Sequence, residues 1–351
     1  MLSKAAWLRR AAGASVAFAA SLRHDRTRHE RAGAHGEREA MSGGSVLVTG
    51  GAGFIGSHVA LRFAREGFGI RVLDDLSSGE AANLAPSWKL VRADVADPAA
   101  VDAAVAGTEI VIHLAAFTSV PESFERFEDC YRTNVFGTTN LVRACVRHGV
   151  RKLVFASSSA VYAELPAAPK SEAECPGPTS PYGISKLEGE HLLAAHTELD
   201  GLGRVALRFF NVYGPRQPAG SAYAAAVPIF IERALRGEPL TIYGDGRQTR
   251  DFVFVTDVAE AVLRAAQGSE SGVFNVGTGK AEEILDLADE IARLTGHATP
   301  HRFAPSRAGD VRASSADATR ARQTLGWSPA HLLAQGLAET LAWYRGRRSP
   351  R

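Results

Sequence analysis

The chain has 351 residues, 45% of them hydrophobic, with 40 Lys and Arg against 38 Asp and Glu for a formal charge of +2. Residues 1–40 alone carry eight basic and four acidic residues, which leaves −2 for the rest and excludes a basic nucleic-acid footprint on the folded body. No run approaches the roughly 18 apolar residues of a membrane span, and Cys130, Cys145 and Cys175 stand in no metal-ligand spacing, which fits a reducing cytoplasm and excludes a cysteine-held metal.

Residues 1–42 read as a disordered extension, or as translation assigned upstream of a start at Met41; a basic, Ala-rich targeting segment is the alternative. From residue 45 the β-rich runs "SVLVT", "IRVLD", "KLVRAD", "EIVIHLA", "KLVFAS" and "RVALRFF" alternate with helical patterns such as "HVALRFAREG" and "TTNLVRACVRHG". That order predicts a Rossmann-type, doubly wound parallel α/β sheet. After about residue 210, Gly/Pro-rich loops and helices such as "VPIFIERALRG" predict a smaller α/β substrate domain. The expected division gives 43–208, with 251–276 returning to it, to the first domain, and 209–250 with 277–346 to the second.

Between the first strand and first helix lies "TGGAGFIG", with Gly50, Gly53 and Gly56 at intervals of three. Such a turn lets backbone N–H groups, with Phe54 and Ile55 opening the helix, approach a pyrophosphate at the positive end of the helix dipole. Asp74 ends the next strand, where a carboxylate binds ribose hydroxyls and disfavours a 2′-phosphate, so the expected cofactor is NAD. Asp94 and Val95 in "RADV" are placed near the adenine, and Ala115 and Ala116 in "HLAA" beneath the cofactor.

"SSSAVY" and "SPYGISK" supply a serine cluster, a tyrosine and a lysine. With Ser180 as N-cap and Pro181 opening the helix, Tyr182 and Lys186 fall one turn apart on one face. A tyrosine acting as base near neutrality needs its pKa lowered by about three units, roughly 4 kcal/mol of phenolate stabilisation. A lysine and a positively charged nicotinamide ring could supply it, with Ser158 holding a substrate hydroxyl against the phenolate.

These blocks, together with "LDDLSSG", "TNVFGT", "RFFNVYGPRQ", "IYGDGRQTRDFVFVTDV", "FNVGTG", "RAGDV" and "LGWSP", resemble the extended short-chain dehydrogenase/reductase family. Within it the resemblance is to nucleotide-sugar enzymes close to UDP-glucose 4-epimerase, over about residues 44–345. It implies Tyr182 as catalytic base, Lys186 as its partner and ribose anchor, and Ser158 as the contact to the substrate hydroxyl. Asn134 resembles a structural asparagine at the cofactor site, and Phe210 lies near the nicotinamide. On the substrate side, Asn211 resembles the residue holding the sugar diphosphate, Arg250 and Arg307 its phosphate clamps, and Asp310 a contact to the nucleotide ribose. Ser159 and Ala160 follow Ser158 where related dehydratases and decarboxylases carry an acid, which implies C4 epimerisation instead. Ser159 itself is expected to face the sugar.

Ser314, four residues after Asp310, stands where the epimerases this chain resembles place the residue that looks onto the C2 substituent of the sugar. A small residue there implies UDP-GlcNAc/UDP-GalNAc alongside UDP-glucose/UDP-galactose. UDP-glucuronate 4-epimerisation, or another nucleotide-sugar epimerase or dehydratase reaction, is the nearest alternative; a non-catalytic NAD(H)-binding redox sensor is the alternative of another class. Expected partners are a UDP-sugar and a second copy of the chain in a homodimer, with no nucleic acid, membrane or metal. The sequence departs from the family pattern at Asp75, Phe117 and Ala163.

Overall fold

The computed structural model describes residues 44–162, 169–219, 225–297, 299–306 and 311–348. The N-terminal extension, Ala163, Arg307 and Asp310 lie outside them.

Seven strands form one sheet, ordered β11-β6-β5-β4-β1-β2-β3. They are β1 (Ser45–Thr49), β2 (Gly69–Asp74), β3 (Lys89–Arg92), β4 (Ile110–His113), β5 (Lys152–Ser158), β6 (Gly203–Phe209) and β11 (Gly272–Val276). Every pairing in this sheet is parallel. Side chains alternate across a strand, so Val46 and Val48 point to one face and Leu47 to the other, all fully buried. The first face packs on helices α1 (Phe54–Arg65) and α6 (Val255–Gln267) through Val59, Phe63, Val258 and Val262. The second face packs on α2 (Pro98–Val105), α3 (Gly137–Arg147) and α4 (Pro181–Asp200) through Val101, Leu141 and Leu193. Covering both faces is what lets near-continuous apolar strands such as "KLVFA" exist in water.

The chain leaves the sheet after β6. Strand β7 (Asn211–Tyr213) pairs with β10 (Phe252–Phe254), β8 (Leu240–Tyr243) with β13 (His301–Ala304), and β9 (Thr249–Arg250) with β12 (Glu282–Glu283). A separate apolar cluster, including Phe230 of α5 (Ala226–Leu235), Leu287 of α7 (Ile284–Thr295) and Leu337 of α8 (Leu333–Arg348), gives this part its own core.

Between β1 and β4 the strand order reverses, and there the polar interior is fully engaged. His113, 1% exposed, places Nδ1 2.8 Å from Thr49 Oγ1 and Nε2 2.9 Å from Thr138 Oγ1. Thr138 donates its hydroxyl proton to the Asn134 carbonyl, so it accepts from His113 Nε2–H, and Nδ1 accepts from Thr49. Thr49 Oγ1 in turn accepts the N–H groups of Leu114 and Ala115. Burial, reinforced by the nearby Lys186 ammonium, pushes the imidazole pKa down to about 3.

An imidazole that protonates near 6.5 in the unfolded chain but only near 3 in the fold contributes stability that is complete above about pH 6.5 and is lost as pH falls toward 3. Replacing it by His113→Gln should therefore flatten the acid limb of stability by about 1.4 kcal/mol per pH unit below pH 6. Urea unfolding at pH 7, 5.5 and 4.5 measures it, and equal slopes in both proteins would contradict the burial of a neutral His113.

Candidate active site and cofactor cleft

Open parallel sheets bind ligands beyond their strand C-termini where the order reverses, and most of the residues singled out from the sequence converge there. Gly50 has φ +69° and lies so close to β4 that a Cβ would fall 2.7 Å from Ala115 N. At Gly56 a Cβ would fall 2.0 Å from Gly50 O. The first glycine thus permits the turn and the third lets α1 seat against it, while Gly53 is the helix N-cap. Phe54 and Ile55 open α1, and no side chain caps its free N–H groups.

Asp74, 6% exposed, receives Ala52 N–H on Oδ2 and Leu76 N–H on Oδ1, both at 2.9 Å. Burial raises its pKa, and these two donors work against that rise. Each carboxylate oxygen keeps a lone pair for a hydroxyl. Half-buried Ala115 and Ala116 follow β4 with only methyl side chains. A bare turn with free N–H donors, a carboxylate and a small-residue floor together fit a dinucleotide.

Asp94 differs from its neighbours in this cleft. Its carboxylate accepts Ala96 N–H at 2.8 Å and pairs with Arg132 at 2.6 Å, and the Val95 side chain belongs to the core at 3% exposure. Asn134 lies in a π-helical turn, Arg132–Phe136, at 3% exposure. It accepts Phe117 N–H and donates to Phe117 O and Ser185 Oγ, tying the loop after β4 to the helix of Tyr182.

Helix α4 begins as its sequence signals: Ser180 Oγ accepts Gly183 N–H at 3.1 Å and Pro181 is the first helical residue. Lys186, 4% exposed, donates from Nζ to Ala156 O at 2.9 Å and stands 5.7 Å from the centre of the Tyr182 ring. Burial lowers its pKa to about 8, leaving it mostly protonated near neutrality. Burial raises the pKa of Tyr182, while a hydrogen bond from Ser158 works in the opposite direction. The protein alone therefore does not create the lowered phenol pKa that base catalysis demands. Ser158 ends β5, where its Oγ accepts Ala160 N–H, and Ser159 and Ala160 follow in a 3-10 turn without an acid.

Beneath these groups Glu190, one turn beyond Lys186, receives both Nε and Nη2 of Arg208 at 2.9 and 2.7 Å and the hydroxyl of Ser157. The pair is 5% and 4% exposed, and the arginine stacks on Tyr162 at 4.8 Å. Tyr162 donates to Asn275 Oδ1, and Phe210 packs beside it at 4% exposure. Nothing in the local spacing of Glu190, Arg208 and Asn275 marks them as one network.

On the other side of the cleft, Asn211 and Arg250 line a cavity of 480 Å³ with Phe230, Arg233 and Tyr243. Arg250 Nη1 donates to Thr249 O and Val311 O. Asp251 beside it is fully buried and accepts from Thr278, Gly279 and Ala316 backbone N–H groups and the Thr278 hydroxyl, a role that no local spacing marks. Half-buried Ser314 donates its N–H to Thr249 O, one residue from Arg250. Ser158 and Tyr182 do not line this cavity. Among the described residues no cluster of three or more His, Cys, Asp or Glu could hold a metal, and no helix is long and apolar enough to cross a membrane.

A UDP-glucose 4-epimerase from Mycolicibacterium smegmatis is 42% identical over 316 residues, covering 86% of this chain and 99% of the relative. The crystal structure of UDP-glucose 4-epimerase with UDP-glucose from Thermotoga maritima superposes with a TM-score of 0.85 at 39% identity, over 87% of this chain and 100% of that one. UDP-N-acetylglucosamine 4-epimerase from Methanobrevibacter ruminantium, in complex with UDP-N-acetylmuramic acid, gives 0.84 at 36% identity, over 88% and 100%. Residues 46–277 match the NAD dependent epimerase/dehydratase family, and the chain belongs to it.

Proposed function

We propose that this protein is a UDP-sugar 4-epimerase acting on UDP-glucose/UDP-galactose and on UDP-GlcNAc/UDP-GalNAc. The observation that carries the reading is the facing pair of Ser158 and Tyr182, with buried Lys186 one turn on and no acid at 159 or 160. Gly50, Gly53, Phe54, Ile55, Gly56, Asp74, Ala115 and Ala116 would hold NAD, with Asp94, Val95, Asn134 and Phe210 around them. NAD⁺, when bound, supplies a hydride acceptor at C4 of the sugar and gives the hydride back. Ser158 orients the O4 hydroxyl and Tyr182 takes its proton. The Lys186 ammonium, fixed by Ala156 O, supplies positive charge beside the phenol. Because Tyr182 can return the proton it took, no second acid is required. Asn211, Arg250 and Arg307 hold the diphosphate, and Asp310 the nucleotide ribose, while the 4-keto sugar turns its other face, guanidinium groups being suited to bidentate phosphate contacts.

In this reading 43–208 with 251–276 form the cofactor domain, and 209–250 with 277–346 the sugar domain. Three cysteines, none in a disulfide, support a cytoplasmic protein. Around α4, Phe124 (61% exposed), Phe127, Phe136 (61%) and Ile184 form an apolar face whose proposed occupant is the same face of a second copy.

Three outcomes are expected. Purified protein should convert UDP-galactose without added NAD, and Tyr182→Phe should lower kcat by roughly 10²–10⁴-fold; a fully active variant would remove Tyr182 as the base. UDP-GalNAc should also be converted, and Ser314→Tyr should suppress that pair while sparing UDP-galactose. Sensitivity of both pairs alike, by anion-exchange chromatography, would deny Ser314 its selective role. Phe124→Glu with Phe136→Glu should sediment as a monomer where the parent sediments as a dimer; a monomeric parent would refute the pairing.

A further inference from the structure

Among the described residues, two other than glycine hold a left-handed backbone, Leu76 at φ +62° and Arg216 at φ +69°. Both flank the glycine turn. Leu76 belongs to the loop that closes over Asp74. Arg216 comes from the opposite side of the cleft, in the segment that follows β7. That segment is pinned to α1 by His58, whose Nε2 donates to Pro215 O at 2.9 Å. Burial lowers the His58 pKa to about 4, so the imidazole is neutral. The guanidinium of Arg216 then reaches back, Nη1 standing 3.4 Å from Asn83 O. Asn83 itself donates from Nδ2 to Ala52 O, in the middle of the glycine turn.

The charge of Arg216 is unspent. It makes no ion pair among the described residues, and its one hydrogen bond is long. The carboxylates at the end of β2 and in the loop after it are engaged: Asp74 with Ala52 and Leu76, Asp75 with Ser77, Glu80 with Arg347. Burial pulls the Arg216 pKa down, with no opposing partner. The first turn of α1 contributes no basic side chain, its arginines Arg62 and Arg65 being in the last turn. A dinucleotide diphosphate placed on that turn would carry two negative charges with only backbone dipoles to meet them. A half-buried cation without a carboxylate, held in a costly conformation at that place, is what a diphosphate lacks there.

We propose that Arg216 is a cofactor-binding residue, delivered from the sugar side of the cleft to pair with the diphosphate of NAD on the glycine turn. The inference rests on the reading that this turn seats the diphosphate. It places the cofactor grip five residues from Asn211, so the segment that holds the sugar nucleotide also holds NAD.

The test is binding to cofactor-stripped protein, with ADP-ribose as the probe that carries the diphosphate and adenosine as the probe that lacks it. Arg216→Gly removes the charge and relaxes the left-handed backbone, so loss of affinity cannot be assigned to strain. Arg216→Lys keeps a charge without the fork. The expected result is a roughly tenfold weaker Kd of Arg216→Gly for ADP-ribose, adenosine unchanged within twofold, partial recovery in Arg216→Lys, and less NAD retained through purification. An ADP-ribose Kd within threefold of the parent, or equal losses for both probes, overturns the assignment alone. Failure of the parent itself to bind ADP-ribose overturns the glycine-turn reading, and the role of Arg216 with it.

Discussion

Where the first strand gives way to the first helix, three backbone segments approach more closely than side chains would permit, and the rest of the cleft is arranged around that contact. Gly50 lies against Ala115, and Gly56 lies against Gly50. The approach sets the start of α1, the position of Ala52 over Asp74, and the height of the Ala115–Ala116 floor. Thr49, one residue earlier, carries the same geometry inward, because its hydroxyl joins the floor to His113 and through Thr138 to Asn134. A methyl group at Gly56 would therefore disturb a hydrogen-bonded frame that runs as far as Ser185 on the catalytic helix.

The second half of the site is held by a different chemistry. Glu190 and Arg208 are charges removed from water, and such a pair gains little net stability while leaving either partner alone is costly. Its structural effect is alignment: Ser157, Glu190, Arg208, Tyr162 and Asn275 connect the strand of Ser158, the helix of Tyr182 and the last strand of the sheet. Asn275 extends the connection by donating to Lys170 O and Asp317 O, close to the segment that carries Ser314.

The parts legible in the sequence were those whose signal is local. Alternating apolar runs gave the parallel sheet, the glycine spacing and Asp74 marked the turn, and Ser180 with Pro181 located the start of the Tyr182 helix. Asn134 is legible only through resemblance, since its partners Phe117 and Ser185 are 17 and 51 residues away. Asp251, Asn275 and Arg216 stand inside motifs that carry the resemblance, but no local spacing gives any of them a role, because their partners are brought near only by the fold. The direction of the Tyr182 shift was also hidden. Proximity of Lys186 argues for a lowered value, but burial of the phenol raises it and dominates in the protein alone.

Strand β11 carries a consequence for how the molecule is made. It borders β6, yet 62 residues separate the end of one from the start of the other, and the intervening chain builds much of the second core. During synthesis the backbone edge of β6 emerges long before its neighbour exists. An uncovered strand edge invites pairing with any extended segment, so the nascent chain passes through a stage at which an interior strand of the finished protein is a border. The order in which the ribosome delivers the segments thus leaves the edge of β6 uncovered until the sheet's last strand has been made.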